Sequence, residues 1–239
     1  MKTKIIFIVL VIVGNISCQS KDTNQNKTTQ NKTNQIVKDI DGNVYHTVTI
    51  GTQVWMVENL KVTKYRDGTP IPMITDSIEW ATLDSGAYCN YNNNPNFAAI
   101  YGRLYNYYVI KNPKNVCPEG WHVPSDKEWQ TLVYHLGGDK IAGGKLKESG
   151  YTHWTKDGNE EASNLSGFTA LPGGSREVHT YVNGSCGVYD WIGLKSYFWS
   201  STEWGDNYIW FHELENLNPY IFRNHYSARC GFSIRCIKD

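Results

Sequence analysis

Six cysteines are the residues of this sequence with the widest chemistry: Cys18, Cys89, Cys117, Cys186, Cys230 and Cys236. Zinc sites usually pair cysteines that are separated by about two to four residues. The closest pair here, Cys230 and Cys236, has five residues between its members, and no histidine cluster accompanies it. The spacing therefore predicts no metal site and favours disulfides in an oxidising compartment. The five cysteines after Cys18 are an odd number, which leaves at least one thiol unpaired.

The seven histidines are scattered along the chain and form no recognisable catalytic set. The sequence lacks the Gly-x-Ser-x-Gly and His-Glu-x-x-His motifs and has no phosphate-binding loop. His122, which lies close to Trp121 and Pro124, is more typical of a structural hydrogen bond at the start of a helix. We therefore expect no catalytic residues, no cofactor and no enzymatic activity.

The segment 204–229 combines aromatic rings with hydrogen-bonding side chains. Flat aromatic faces stack on the apolar faces of sugars or anchor protein contacts, while polar side chains supply directional hydrogen bonds. The alternative is that alternate rings of this segment, Trp210 and Phe222 in particular, form the buried face of strands. The candidate ligand-binding residues are Trp204, Tyr208, Asn224 and Tyr226.

Two other segments carry weaker signals. Residues 171–176 could hold a phosphate through backbone amides, but they lack the lysine of a nucleotide-binding loop, so a tight crossover in a sheet is favoured. Glu203, Asp206 and Asn207 offer oxygen ligands for calcium, yet three such residues are too few to predict a site.

The composition limits the class of protein. With 40% hydrophobic residues, the chain is long enough to bury one sizeable core. Charged residues make up 19%, and the 23 basic and 23 acidic side chains balance. No basic block is present, so the electrostatic drive for nucleic-acid binding is missing. We expect no nucleic-acid partner.

The first 17 residues have the features of a signal peptide. Lys2 and Lys4 precede an apolar run over 5–13 that is too short to span a bilayer permanently, since a spanning helix needs about 20 residues. Ser17 and Cys18 resemble the lipobox of bacterial lipoproteins, although Asn15 departs from its aliphatic pattern. The alternative is ordinary signal cleavage that leaves Cys18 as a thiol. A lipidated Cys18 would attach the protein to the outer membrane without any basic patch.

Residues 18–35 are expected to form a flexible tether. After Cys18 this stretch has no aliphatic or aromatic side chain, so it cannot repay the entropy lost on ordering. A coil of this length spans roughly 20–25 Å on average. Lys21 and Asp22 resemble the export signal of cell-surface lipoproteins of the Bacteroidetes, which favours the cell surface over the periplasmic face.

The elements that must position these residues begin near residue 36. Alternation over 44–50, the Gly51–Thr52 pair and a second run over 53–57 predict a hairpin. The pattern over 101–110 predicts a short buried helix, and 65–96 is expected to be long loops held by Trp80 and Tyr88.

The strongest helix signal covers 125–136. Ser125 and Glu128 form a capping box, and apolar residues at helical spacing follow before Gly137. Short β-rich runs then cover 197–201, 208–212, 220–223 and 232–237. The order predicts an α+β fold, as one domain over 36–239, in which the N-terminal hairpin pairs with the last strand.

Eight motifs between residue 39 and residue 236 resemble the Fibrobacter succinogenes major paralogous domain, a family of exported and often lipidated bacterial proteins. They are Asp39-Ile-Asp-Gly-Asn-Val-Tyr45, Gln53-Val-Trp-Met-Val-Glu-Asn-Leu60, Tyr65-Arg-Asp-Gly-Thr-Pro-Ile71, Tyr101-Gly-Arg-Leu-Tyr-Asn106, Cys117-Pro-Glu-Gly-Trp-His-Val-Pro-Ser-Asp-Lys-Glu-Trp129, Gly167-Phe-Thr-Ala-Leu-Pro-Gly-Gly174, Trp199-Ser-Ser-Thr-Glu203 and Gly231-Phe-Ser-Ile-Arg-Cys236. The family's activity is largely uncharacterised, so the resemblance implies a domain more than a function.

A more distant similarity, carried by the segments 123–129 and 231–236, is to the C-type-lectin-like fold of formylglycine-generating enzymes. It implies a short twisted antiparallel sheet, two or three helices and long loops on one side. In that layout Cys117 bonds to Cys236, and Cys186 with Cys230 is the second pair, which leaves Cys89 free. The copper-binding cysteines of those enzymes are absent from 204–225, which argues against an oxygenase.

These observations together predict an exported cell-envelope lipoprotein. Its lectin-like domain is expected to bind an extracellular glycan or protein without catalysis. The alternative is a structural or assembly subunit of an envelope or fimbrial complex, in which the same aromatic segment contacts a neighbouring protein.

Overall fold

The computed structural model describes residues 36–181 and 184–239, and all of them belong to one compact unit. The predicted signal peptide, the lipidated Cys18 and the tether to residue 35 lie outside the described residues. Among the described residues, none of the helices has the length and apolar character needed to cross a membrane.

The first sheet joins the two ends of the domain. Its five strands lie in the order β1-β2-β3-β12-β6, with antiparallel neighbours. The strands are β1 (Ile36–Lys38), β2 (Val44–Ile50), β3 (Gln53–Met56), β6 (Trp121–His122) and β12 (Ile237–Lys238). The predicted hairpin is β2–β3, and its predicted pairing with the last strand is confirmed by Trp55 opposite Ile237.

The second sheet is larger than the sequence indicated. Its order is β11-β10-β9-β7-β8, and only the short β7–β9 pairing is parallel among the described strands. The strands are β7 (Gly173–Tyr181), β8 (Gly184–Ile192), β9 (Lys195–Gly205), β10 (Tyr208–Glu215) and β11 (Phe222–Ser227). A further two-stranded ladder pairs β4 (Tyr88–Cys89) with β5 (Leu104–Tyr105). The expectation of one short sheet was therefore wrong, whereas the α+β class is confirmed.

Five α-helices lie between these strands in the described part of the chain, more than the two or three expected. They are α1 (Ser77–Thr82), α2 (Pro95–Tyr101), α3 (Tyr107–Lys111), α4 (Asp126–His135) and α5 (Asp139–Leu146). The capping box predicted for α4 is present, because Ser125 accepts from the Glu128 backbone and Glu128 accepts from that of Ser125. The predicted helix over 101–110 is wrong in its first half, where β5 forms.

His122 has the structural role that the sequence suggested. Its Nε2 lies 2.9 Å from Glu128 of α4, and its Nδ1 lies 2.6 Å from Asp239. The imidazole therefore ties the start of α4 to the end of the first sheet.

Both faces of the second sheet are buried around β9. Phe198 packs with Trp129 of α4 in one core cluster, whereas the next residue, Trp199, packs with Phe211 and Phe232 in another. Adjacent residues of a strand point to opposite faces, which explains why β9 contributes to both clusters. This arrangement fixes β10 between helix α4 on one side and an aromatic core on the other.

Two buried arginines donate hydrogen bonds to backbone and amide oxygens in place of water. Arg176 donates to the carbonyl oxygens of Ile74, Thr75 and Asp76, so it holds the loop in front of α1. Arg235 donates to Asn59 and thereby joins two distant segments of the sequence. A charged donor buried without such partners would be strongly destabilising.

The cysteines confirm one predicted pair and correct the other. Cys117 and Cys236 form a disulfide, and Cys89 is free as expected. Cys186 and Cys230 are also free, so the second predicted bond is wrong. Cys186 lies on β8 opposite His179, whereas Gly231, next to Cys230, bonds to the other edge of β7. Strand β7 separates them by two strand spacings, about 9.5 Å, and a disulfide joins Cα atoms no more than about 7 Å apart.

Candidate functional site

The β10–β11 hairpin presents the candidate site on the face that α4 only partly covers. Its register places Trp210 opposite His225 and His212 opposite Arg223. Because strand residues alternate between faces, Tyr208, Trp210 and His212 share this side of the sheet. Helix α4 covers the His212 end and leaves the Tyr208 end open to solvent.

Four rings form a continuous row at the open end, here called the aromatic row: Trp204, Tyr208, Trp210 and His225. The indole of Trp204 stacks on the imidazole of His225, and the rings of Tyr208 and Trp210 meet that imidazole edge-on at 5.8 and 5.7 Å. Trp204 remains 53% exposed and Tyr208 47% exposed. The row therefore offers flat apolar surface to solvent in a fixed orientation.

Arg223 connects the aromatic row to helix α4. Its guanidinium carbon lies 3.4 Å from the ring centroid of Trp210, within the range of a cation–π contact. Its Nε and Nη2 donate to the two carboxylate oxygens of Asp126 at 2.7 and 2.9 Å. Burial alone would raise the pKa of Asp126, but contact with His212 and the bonds from Arg223 hold this pKa well below its usual range. Asp126 is therefore ionised.

A cleft lies beside Arg223, between the helices α4 and α5 and the strands β10 and β11. Its volume is about 490 Å³. The walls mix apolar side chains with amide, carboxylate and guanidinium groups. They are formed by Gln130, Val133, Tyr134, Gly138, Asp139, His212, Ile221, Phe222 and Arg223.

His212 is the unusual member of this wall. The residue is 1% exposed, and its ring stacks on Trp129 at a centroid distance of 4.9 Å. Nε2 lies 3.4 Å from Asp126, but neither ring nitrogen has an aligned hydrogen bond within the part of the chain that the structure describes. Burial lowers the pKa of His212 below its usual value, so the ring is neutral at pH 7.

The structure divides the four predicted ligand-binding residues between two faces. Trp204 and Tyr208 belong to the aromatic row. Asn224 lies opposite Phe211 and Tyr226 opposite Ile209, which places both on the reverse side of the hairpin. There Tyr226 packs on Phe211 and Phe232, and burial together with the nearby Glu177 raises its pKa to about 12.

The rings that were considered for the buried face lie elsewhere. Trp210 is half-buried beneath Arg223, and Phe222 is exposed at the rim of the cleft. The sequence reasoning did not select His212, Arg223 or Asp126. Positions 208, 210 and 212 alternate along one strand, and this spacing could have placed His212 on the face of Tyr208. Asp126 is 97 residues away from Arg223, so no local sequence pattern indicated that the two would pair.

Two other groups of oxygen and nitrogen atoms lie where a cation site is conceivable. Glu203 is engaged by Lys111 at 2.9 Å, so the loop that includes Asp206 does not present it freely. On the β7–β8 hairpin, ligand atoms of Glu177, His179 and Asp190 lie within 4.8 Å of one another, and this group could hold a cation. It belongs to a different hairpin from the aromatic row.

The model of the Fibrobacter succinogenes major domain family matches residues 48–238. No curated protein matches the chain, and no solved structure does. The match includes both sheets from Val48 onward, the aromatic row and the cleft.

Proposed function

The chain belongs to the Fibrobacter succinogenes major domain family, and we propose that its domain binds an extracellular glycan, without catalysis, through the aromatic row. The observation that carries the proposal is the exposed Trp204 stacked on His225 at 3.9 Å. A flat ring that is held at the surface in a fixed orientation offers preorganised apolar area to a ligand. Sugar rings have apolar faces that suit such a platform.

Polar groups around the row support a ligand with hydroxyls. Exposed Asp206 and Asn207 follow Trp204 in the turn between β9 and β10, and Arg223 lies over Trp210. Such side chains donate to and accept from hydroxyl groups in fixed directions. The combination of a flat apolar surface with a polar frame favours a glycan over a purely apolar ligand.

The charged residues next to the row argue for binding rather than catalysis. Asp126 is held as a carboxylate by two hydrogen bonds from Arg223. A carboxylate with a strongly lowered pKa is a poor general acid, because it holds no proton to give at neutral pH.

We also propose that the protein is exported, lipidated on Cys18 and attached to the outer membrane at the cell surface. The disulfide between Cys117 and Cys236 supports an oxidising compartment. Metabolic labelling with a fatty-acid probe tests the lipid, and protease treatment of intact cells tests surface exposure. An unlabelled, protease-resistant protein in the cytosolic fraction would overturn this part of the proposal.

The finer fold assignment is likewise a proposal. Pairing of the N-terminal hairpin with the last strand supports a C-type-lectin-like fold, as do the short helices and strands joined by loops between residues 57 and 121. An experimental structure that placed the domain in another fold would overturn the assignment and leave the binding surface intact.

A protein ligand is the second candidate, as expected for an envelope or fimbrial subunit. It is favoured by the exposed rings of Tyr220 and Phe222, whose centroids lie 6.0 Å apart beside the cleft. Contiguous exposed rings are typical of protein contacts. A stoichiometric envelope partner that is lost in the Phe222→Ala variant would support this candidate.

The glycan proposal is tested by applying the full chain to a glycan array beside two variants. Trp204→Ala removes the platform and is expected to abolish binding. Tyr151→Ala is the matched control, since Tyr151 is exposed and makes no ring contact with the row. Absence of any glycan signal, or equal signals from both variants, would overturn the proposal.

A further inference from the structure

We propose that the cleft beside Arg223 is a subsite for one neutral sugar unit, and that a hydroxyl of this sugar forms a hydrogen bond with His212. This inference rests on the proposed glycan-binding function and deepens it. It extends the site from an exposed platform to a cleft that receives one unit of the glycan.

The ring nitrogens of His212 support the subsite, because neither has an aligned hydrogen bond in the described part of the chain. A neutral imidazole carries one donor and one acceptor, and buried polar atoms in proteins are nearly always paired. In the described part of the chain Nε2 lies 3.4 Å from Asp126 without an aligned hydrogen bond, and Nδ1 has no hydrogen-bond partner, although the residue is only 1% exposed. A hydroxyl group both donates and accepts, so it can pair with the imidazole in either tautomer.

The size and lining of the cleft also suit one sugar unit. A volume of about 490 Å³ is enough for a single sugar ring together with its hydroxyl groups. Ile221, Val133 and the ring of Phe222 provide apolar walls, which suit the carbon-bound hydrogens of a sugar face. Gln130 and Asp139 add hydrogen-bonding groups at the same walls.

The charges favour a neutral ligand over an anionic one. Arg223 is the cationic group of the lining, and both of its bonding nitrogens, Nε and Nη2, are directed to Asp126. With that pair balanced and His212 neutral, Asp139 leaves the lining slightly negative. Among the described lining residues, the cation that an anionic ligand such as a phosphate or a uronic acid would need is already paired with Asp126, whereas a neutral hydroxyl-bearing ring needs none.

Arg223 makes the cleft continuous with the aromatic row. The guanidinium lies over Trp210 of the row and also forms part of the cleft wall. A glycan stacked on Trp204 could therefore extend along the hairpin and place its next unit in the cleft. The two parts of the site can be tested separately because they are carried by different side chains.

His212→Phe is the decisive variant. The phenyl ring retains the stacking on Trp129, and it removes two nitrogens that have no aligned hydrogen bond in the described chain. We expect a modestly lower melting temperature, because Asp126 loses its contact with His212 but keeps both bonds from Arg223. Binding of the array-identified glycan is expected to be about fivefold weaker, as for the loss of one ordinary hydrogen bond. His135→Phe is the matched control, because His135 belongs to helix α4 but does not line the cleft.

Nitrogen-15 NMR of the full chain gives a second measurement that does not depend on folding of a variant. Methyl glycosides of glucose, galactose, mannose and N-acetylglucosamine are the probes. At least one of them is expected to shift the ring signals of His212, and Tyr134→Ala at the exposed rim is expected to weaken that shift.

The outcomes separate the two proposals. If Trp204→Ala abolishes binding while His212→Phe binds normally and no probe moves the His212 signals, the subsite is overturned and the platform stands. If the probes move the His212 signals while Trp204→Ala binds normally, the subsite is supported and the platform is overturned. If the array shows no glycan binding and no probe moves the His212 signals, both the platform and the subsite are overturned.

Discussion

The indole of Trp204 lies face to face with the imidazole of His225, at a centroid distance of 3.9 Å and an interplanar angle of 9°. The pair comes from two strands that are not adjacent, since β10 lies between β9 and β11. The exposed ring therefore owes its orientation to a side chain that does not need to touch the ligand itself.

His225→Ala is expected to weaken glycan binding about threefold to tenfold, because an aromatic pair contributes about 0.5–1.5 kcal/mol to holding its rings. His225→Phe keeps the stacking surface and is expected to bind as the natural chain does. Titration calorimetry measures both. Equal losses in the two variants would mean that the imidazole nitrogens contact the ligand directly.

Asp126→Asn is expected to flatten the acid side of the stability profile. Because the pKa of Asp126 is lowered in the folded state, its contribution is present above the unfolded value near pH 4 and is lost as the pH falls below it. Urea unfolding between pH 2 and pH 7 checks this. Asp206→Asn in the exposed turn is the control. An equal loss of unfolding free energy with falling pH in the natural chain and in Asp126→Asn would contradict the prediction.

Arg235→Met is expected to lower the free energy of unfolding by about 2–4 kcal/mol, since Asn59 and the carbonyl of Phe168 lose a charged donor in the core. Asn59→Ala removes the acceptor of two guanidinium nitrogens, leaves only the bond to Phe168 and is expected to be at least as harmful. Chemical denaturation of the double variant should give less than the sum of the two losses. Additive losses would show that the pair is not coupled.

Loss of the disulfide is also expected to lower the free energy of unfolding. Cys117 and Cys236 are 119 residues apart, and closing a loop of that length contributes roughly 5 kcal/mol in the chain-entropy model. The double serine variant is compared with Cys186→Ser by guanidinium unfolding. A midpoint shared by these two variants would contradict the expected contribution.

The three free thiols in the described part of the chain are expected to differ in reactivity. Burial raises the pKa of Cys89 and of Cys230, so both are protonated and shielded, whereas Cys186 is half-exposed on β8. A short maleimide pulse followed by peptide mass spectrometry should label Cys186 first among the three. Rapid labelling of Cys230 in the folded protein would contradict its burial in the core.

Local sequence signals predicted the parts of the fold that are determined locally. The capping box of Ser125 and Glu128 and the alternation of β2 depend on neighbours within a few residues, and both are confirmed. The β7–β8 hairpin was missed because its start contains Gly174 and Arg176, which suit a strand only when tertiary partners are present. Arg176 finds those partners about 100 residues earlier in the chain, at Asp76.

The candidate site shows the same division. The aromatic content of 204–229 indicated where a surface would lie, but not which side of the hairpin each ring would take. The register of β10 and β11 puts Tyr208 and Tyr226 on opposite faces. The pairing between β9 and β10 is irregular near Ile209, which shifts the alternation of β9 relative to β10 around Trp204. A periodicity read from the sequence does not detect such a shift.

The position of β12 has a consequence for biogenesis. This strand lies between β3 and β6, so the central ladder of the first sheet cannot close before residues 237–238 have been synthesised. Until then the edges of β3 and β6 stay open, and unpaired edges invite aggregation. The first sheet therefore closes late in folding, and a chain truncated before residue 237 is expected to expose both edges.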